Sequence, residues 1–342
     1  MGHSAAIMFQ DGVTRFIQVK QGEVLLDAAF RQGISLPLDC REGVCATCRG
    51  KCESGQVEMD YVDEDALSED EQAAGYVLAC QTTLNSAASF YFDLPSSMCN
   101  VTAKALNGTV SLIEQVSEAA SILEVSLADV AADCAYLPGQ YARLYVPGTA
   151  EHRAYSFATA RAEAGKLRFL MRLLPNGVMS DYLRDRCQVG DEIRLEVPFG
   201  AFYLREVTRP LLFVAGGTGL SAFLGMLDQI AQADASMQVP IRLCYGVSHE
   251  QDLSELARLD VLCASLPDFQ YQVVVSGASE AWTGARGRVT DVFDLGFLDQ
   301  PFDAYLCGPP GMINATQDWL NQAVSTQRIA PHQVYFERFV SS

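Results

Sequence analysis

Basic charge is scarce in this chain. Its 342 residues hold 24 Lys and Arg against 42 Asp and Glu, a formal net charge of −18. Such a surface repels phosphate backbones and anionic lipid, which excludes nucleic acid and a membrane face as main partners. Histidine is scarcer still, with four residues, and no Ser/His/Asp hydrolytic set is apparent. Long uncharged runs are missing too, apart from the 18 residues Pro210–Leu227. That run nears the ~20 residues a bilayer needs, but Ala215-Gly216-Gly217-Thr218-Gly219 breaks it. A buried strand, a glycine turn and a buried helix start account for it. Asp11, Arg15 and Lys20 interrupt the N-terminal apolar residues, so no signal peptide is expected and the expected compartment is the cytoplasm.

Apolar residues make up 49% of the chain, enough for full cores. The length predicts two or three domains. The pattern of elements divides at 1–102, 103–208 and 209–342. The first segment opens with strand-like Ile7–Gln10 and Val13–Lys20 around Asp11-Gly12, a hairpin signal. A short helix over Glu23–Gln32 ends at Gly33. Six Lys and Arg face fifteen Asp and Glu here, and residues 57–72 carry eight acids and no base. That acidic run reads as a solvated loop and helix or as a docking face. The second segment is a series of short strand candidates separated by turns, which predicts a closed barrel or sandwich. In the third, apolar strands alternate with helical stretches near 220–232, 253–265 and 310–324, as in a doubly wound parallel sheet.

The 11 cysteines are unevenly spread. Cys40, Cys45 and Cys48 form C-x4-C-x2-C, and Cys80 follows after 31 intervening residues. This is the plant-type [2Fe–2S] spacing, in which soft thiolates hold the irons. A structural zinc site is the competing reading, but it ordinarily shows two close pairs where this chain has one. No histidine lies in the loop, which excludes a Rieske centre. Cys52 falls outside the pattern and reads as an inert thiol.

Arg153, Tyr155 and Ser156 share a predicted strand, with Arg153 and Tyr155 on one face. A cation for phosphate, a flat aromatic and a hydroxyl suit an anionic flavin. Gly177-Val178-Met179-Ser180 opens a predicted helix, a ready phosphate site for Gly177, Met179 and Ser180. Leu137-Pro138-Gly139-Gln140-Tyr141 precedes an earlier strand, and Arg172 is a further cofactor candidate. Gly216, Gly217, Thr218 and Gly219 join a strand to a helix, where glycines admit a pyrophosphate. Cys307-Gly308-Pro309-Pro310-Gly311 ends a later strand, at the strand ends where open α/β sheets bind ligands. No arginine follows the second strand of this sheet, whereas Glu250 and Asp252 do. They would repel a 2′-phosphate and accept from a ribose hydroxyl, which selects NADH over NADPH. His249 reads as an exposed loop residue.

These motifs resemble known proteins over almost the whole chain. LDCREGVCATCRGKCESG with LACQ resembles the ferredoxin domain of the reductases that serve aromatic-ring dioxygenases. The later motifs resemble the FAD-binding barrel and NAD(P) domain of the ferredoxin–NADP reductase family. The runs VDEDALSE, LPNGVMS, FYLRE and GGTGLSAFLGML look most like the benzoate/anthranilate 1,2-dioxygenase reductases. The resemblance implies a multidomain fold of α+β, all-β and α/β parts. These are a β-grasp ferredoxin domain, a six-stranded antiparallel FAD-binding barrel and a doubly wound NAD-binding domain. It implies that Cys40 and Cys45 hold one iron and Cys48 and Cys80 the other. Glycine is frequent in that family where this chain has Ala46. By the same resemblance, R-x-Y-S and G-x-x-S bracket the flavin diphosphate, and Cys307, with Gly308 and Pro309, lies beside the nicotinamide. Phe339 covers the flavin, and Ser156, Cys307 and Glu337 position or polarise the reacting rings. The implied path runs from NADH through FAD and [2Fe–2S] to the Rieske centre of a transiently bound terminal oxygenase. Plant-type clusters lie near −400 mV and Rieske centres at about −150 mV or higher, roughly four decades downhill. A diiron monooxygenase reductase is the alternative with the same module order.

Overall fold

A computed structural model of the chain describes residues 2–100, 103–128, 134–233, 239–330 and 332–339. The expected boundary at residue 102 touches residues 101 and 102, which lie outside that set. Cα packing separates two compact units. One runs up to Ala103 and includes Phe199–Ala201, and the other comprises Lys104–Pro198 and Phe202–Phe339.

The first unit is built from β1 (His3–Phe9), β2 (Thr14–Val19), α1 (Leu25–Arg31), β3 (Arg49–Ser54), β4 (Val57–Met59), α2 (Glu69–Ala73), β5 (Tyr76–Leu78), β6 (Thr82–Leu84) and β7 (Ala88–Phe92). The main sheet has the order β2-β1-β7-β3-β5, with β1 and β7 parallel and the other pairs antiparallel. Strand alternation sends Ala5, Ile7 and Phe9 inward with Ile17 and Val19, where they bury Leu25, Leu26 and Ala29 of α1. The hairpin turns at Gly12, whose φ of 78° suits the turn. Helix α1 ends at Gly33, as its sequence predicts. Ile34 N–H donates to Ala29 O and Gly33 N–H to Phe30 O, both at 3.0 Å, which satisfies the last carbonyls. The outer strand β2 is closed by side chains: the Gln32 amide accepts from Gln18 N–H at 3.0 Å and donates to Gln18 O at 2.9 Å.

The second unit begins with six antiparallel strands: β8 (Lys104–Gln115), β9 (Ala120–Leu127), β10 (Tyr141–Tyr145), β11 (His152–Ser156), β12 (Lys166–Arg172) and, after helix α3 (Val178–Asp185), β13 (Glu192–Phe199). Their order is β11-β10-β13-β8-β9-β12, and a bridge between Phe157 and Phe169 brings the two ends together as a near-barrel. The six antiparallel strands that the resemblance implies are all present.

A parallel sheet follows, formed by β14 (Leu211–Gly216), β15 (Ile241–Val247), β16 (Phe269–Val275), β17 (Ala285–Arg286), β18 (Phe302–Gly308) and β19 (His332–Arg338). The order is β17-β16-β15-β14-β18-β19. Helices α4 (Leu220–Gln232), α5 (Leu256–Ser265) and α6 (Pro310–Ser325) link the strands. Alternation along β14 assigns the layers: Leu211, Phe213 and Ala215 pack with α4 and α5, and Leu212 and Val214 pack with α6. The uncharged run is therefore a fully buried strand, a turn and a 13-residue helix. No helix among the described residues is long and apolar enough to cross a membrane. Helix α5 begins at Leu256, three residues later than its sequence suggests, because Glu255 adopts φ 56°. Its carboxylate is drawn to Arg168 and Arg258, each at 3.5 Å.

Candidate functional site

In the first unit the four thiols meet as two pairs. Cys40 is hydrogen-bonded to Cys45, and Cys48 to Cys80. The contact with Cys45, followed by the amides of Glu42, Val44 and Cys45, brings the Cys40 thiol down to about 5. The Cys48 contact brings Cys80 to about 7, whereas Cys45 and Cys48 are raised by their partners and by burial. The loop turns through Arg41, Gly43 and Ala46 at φ 63°, 79° and 60°. At Gly43 a Cβ would lie 2.2 Å from Tyr61 O, so the position excludes a side chain. Asp63 N–H donates to Gly43 O at 3.0 Å and fixes the acidic segment against the loop. Gln81 Nε2 lies 3.7 Å from Cys80 Sγ and 2.9 Å from Arg41 O. Two thiol pairs wrapped in amide donors fit a two-iron cluster, which takes two sulfur ligands per iron. Among the described residues no three metal-ligating side chains converge on one ion position. Cys52 stands apart, with its thiol donating to Ser54 O at 3.4 Å.

In the barrel, Arg153 and Tyr155 are half-buried on the outer strand β11, and Ser156 is buried. Arg153 donates to His152 O at 2.8 Å, and Glu151 lies 3.5 Å away. Burial raises the Tyr155 phenol, so it stays neutral. Gly177 is the N-cap residue of α3 and supplies no side-chain cap, which leaves first-turn N–H groups for an anion. Ser180 is committed locally: its hydroxyl accepts from Leu174 N–H at 2.9 Å and donates to Arg172 O at 3.4 Å. Met179 is buried in the barrel core against which Tyr155 packs, so the side chain is structural and only its backbone is available. A cation, a neutral aromatic and an uncapped helix start fit a flavin diphosphate.

The parallel sheet holds a cleft of about 450 Å³ at its strand ends. Gly216, Gly217 and Thr218 form one wall, Pro309 and Met312 another, and Arg172 with Ala119 and Ala120 a barrel wall. Helices α4 and α6 both start here without a side-chain cap. Gly246 and Val247 at the end of β15, Ser248 just after it and Ser276 just after β16 extend the cleft, whose lining also includes Arg288 and Thr290. Sequence reading missed these, because nothing local marks a residue as wall. Asp252 lines the cleft and accepts from His249 N–H at 3.0 Å. Glu250 does not line it. Its carboxylate turns to Ser279 N–H at 2.8 Å, and that bond lowers its pKa.

Gly219, Cys307, Gly308, Ser156, Glu337 and Phe339 lie outside the cleft lining but are joined by contacts of their own. Ser221 in the first turn of α4 donates to Ser156 O at 3.1 Å. A Cβ on Gly219 would meet Cys307 O. Cys307 pairs with Glu337 across β18 and β19, and Phe339 N–H donates to Gly308 O at 2.8 Å. Cys307 is fully buried, and burial, with Glu337 next, raises its thiol. These contacts bring β11, the start of α4 and the ends of β18 and β19 to one place.

Three families match along the chain: a 2Fe-2S iron-sulfur cluster binding domain at residues 8–85, an oxidoreductase FAD-binding domain at 107–203 and an oxidoreductase NAD-binding domain at 213–318. The chain is 52% identical to the anthranilate 1,2-dioxygenase electron transfer component of Acinetobacter baylyi, over 100% of this chain and 98% of that one. It is 42% identical to the toluate 1,2-dioxygenase electron transfer component of Pseudomonas putida, over 100% of both. A crystal structure of an Amycolatopsis cytochrome P450 reductase matches with a TM-score of 0.71 at 28% identity, over 98% of this chain and 99% of that one.

Proposed function

The chain belongs to the electron transfer components of the aromatic-ring 1,2-dioxygenases, and from that premise we propose that it supplies a separate, transiently docked oxygenase through the oxygenase's Rieske centre, in the cytoplasm. It is an NADH-dependent flavin and iron–sulfur oxidoreductase. When bound, FAD takes an electron pair from NADH and the [2Fe–2S] group passes electrons on singly.

The residues take the following roles. Cys40 with Cys45, and Cys48 with Cys80, each ligate one iron. Arg153 and the amides from Gly177 to Ser180 bind the flavin phosphates, and Tyr155 lies against the ring. The amides of Gly216, Gly217, Thr218 and Gly219, with Pro309 opposite, bind the dinucleotide pyrophosphate, and Arg172 adds charge at the rim. Asp252 accepts from a ribose hydroxyl and repels a 2′-phosphate. Ser156, Cys307 and Glu337 flank the reacting rings. Cys307 is neutral at pH 7, so it orders the site and excludes water without acting as a nucleophile. Phe339, beside Gly308, covers the ring face. On this reading the modules are residues 1–102, 103–208 and 209–342.

The observation that supports the reading is the run of contacts from Ser156 through Ser221 and Gly219 to Cys307 and Glu337. These contacts join β11 to the glycine turn, which supports a flavin bound beside the dinucleotide. The test is reconstitution with purified oxygenases, following NADH oxidation and product together. Dihydroxylation of benzoate or anthranilate coupled one-to-one to NADH, with a Rieske oxygenase alone, is expected. Coupling only to a diiron hydroxylase would overturn it.

A further inference from the structure

A group of charged side chains ties the dinucleotide half of the second unit to its flavin half, and the roles above leave it unused. Helix α4 starts at the glycine turn, and Ser221, Gly225 and Asp228 follow at helical spacing on one of its faces. That face meets residues 156–159, which lead out of β11. Ser221 donates to Ser156 O at 3.1 Å. A Cβ on Gly225 would lie 2.9 Å from Thr159 O and 3.1 Å from Phe157 O, so the helix rests directly on this segment.

The charged group closes the same joint. Arg258 of α5 donates to Ala158 O at 2.7 Å and to Asp228 Oδ2 at 2.6 Å. Its other terminal nitrogen lies 3.5 Å from Glu255, and Glu255 lies 3.5 Å from Arg168 of β12. Ala158 N–H donates to Arg168 O at 2.8 Å, so the two barrel residues at the joint are bonded to each other and both are reached from the start of α5. The arrangement is costly. The Glu255 side chain is 8% exposed and its backbone holds φ 56°, a strained value for a residue with a side chain. Asp228 and Arg258 are also largely withdrawn from water. An apolar contact would join two surfaces at lower cost, but it would let them slide, whereas hydrogen bonds between ions fix a register.

We propose that Asp228, Arg258, Glu255 and Arg168 form a positioning network that holds α4, and with it the bound dinucleotide, in register with the flavin strand. The proposal rests on the reading that β11 binds the flavin and the glycine turn the dinucleotide. Any slip of α4 along residues 156–159 carries the glycine turn with it. A misplacement of about 1 Å between reacting groups can cost on the order of 100-fold in rate, so a loosened register is read in the transfer step.

The test compares wild type with Arg258→Met, Arg258→Lys and Asp228→Asn, each loaded with flavin and cluster. Anaerobic stopped flow gives the limiting rate of flavin reduction by NADH. Calorimetry with ADP-ribose, which lacks the nicotinamide, measures binding without transfer. Hydrogen exchange follows the amides of residues 156–159. Arg258→Met should lower the limiting rate about tenfold while ADP-ribose affinity stays within about twofold. Exchange at residues 156–159 should quicken. Asp228→Asn should move both readouts the same way by less, and Arg258→Lys should recover part of the rate. A limiting rate within about twofold of wild type, with only the melting temperature lowered, would make the network merely structural and overturn the proposal. Equal losses in rate and in ADP-ribose affinity would overturn it too, because the cleft itself would then have changed. If Arg258→Met does not fold, Asp228→Asn, which keeps the side-chain shape, decides by the same measures. The underlying reading has its own check in wild type: ADP-ribose should slow flavin reduction by competing with NADH. Without that competition both statements fall, whatever the variants do.

Discussion

Gly219 sits directly against the main chain of Cys307: a Cβ on Gly219 would lie 2.3 Å from the Cys307 carbonyl oxygen and 3.0 Å from Gly308 N. Gly216 is pressed in the same way, with Pro309 Cδ at 2.7 Å from its Cβ position. The glycines thus serve a close approach of two strand ends as well as any bound phosphate. Gly219→Ala must push α4 away from β18. It should cost about 1–3 kcal/mol by urea unfolding and raise KM for NADH several-fold. Gly217 has open space around its Cβ position but φ 54°. Gly217→Ala should cost only about 1–2 kcal/mol through backbone strain. An unchanged stability and KM in Gly219→Ala would contradict the close-approach account.

Ala46 occupies φ 60°, where a methyl group is strained. Ala46→Gly should relieve about 1 kcal/mol and slow loss of the cluster absorbance in chelator. A faster loss would mean that the methyl group, which packs against the unit's core, contributes more than its strain costs.

The thiols sort by place. Cys48→Ser should abolish the visible cluster bands and cytochrome c reduction while sparing NADH–ferricyanide activity at the flavin. Cys52→Ser should retain one cluster per chain. Cluster loss in the Cys52 variant would reverse this assignment.

The acidic run is not uniform. Glu69 and Asp70 are exposed, whereas Glu71 reaches Arg49 at 2.9 Å and also accepts from Ser68 N–H at 3.0 Å, closing the start of α2. The Arg49 guanidinium lies 3.8 Å over the Tyr76 ring. Removing one partner of a largely buried pair exposes the cost of the other. Glu71→Gln should lower stability by about 1–3 kcal/mol in urea unfolding, with Glu69→Gln within about 0.5 kcal/mol. Equal effects would return Glu71 to the solvated face.

Glu23 holds an acid-dependent contact. The Arg31 guanidinium, 2.8 Å away, brings its carboxyl to about 2 from the usual 4.5. The folded form is the weaker acceptor of protons, so the contribution is complete above about pH 4.5 and fades toward pH 2. Wild type should therefore melt above Glu23→Gln at neutral pH, and the gap should close as pH falls through that window. A constant gap would assign the difference to something other than this charge.

What the sequence disclosed was local. Sulfur spacing, strand alternation and the glycine stop after α1 are written in neighbouring residues, so the cysteine loop and nearly all of the strands could be read directly. Ser180 and Glu250 were misjudged in part because their oxygens found backbone donors at Leu174 and Ser279 that only the fold brings near. β17 spans two residues and carries no period to detect.

The closure of β2 by Gln32 has a consequence for how the chain behaves in a crowd. An outer strand normally offers its peptide groups to any extended segment it meets, including another copy of itself. With both peptide groups of Gln18 occupied by a side-chain amide, that template is interrupted near the C-terminal end of the strand. The heavy negative charge already keeps copies apart at a distance. The amide acts at contact range, where charge repulsion is screened, so accumulation of the protein at high concentration is guarded against twice.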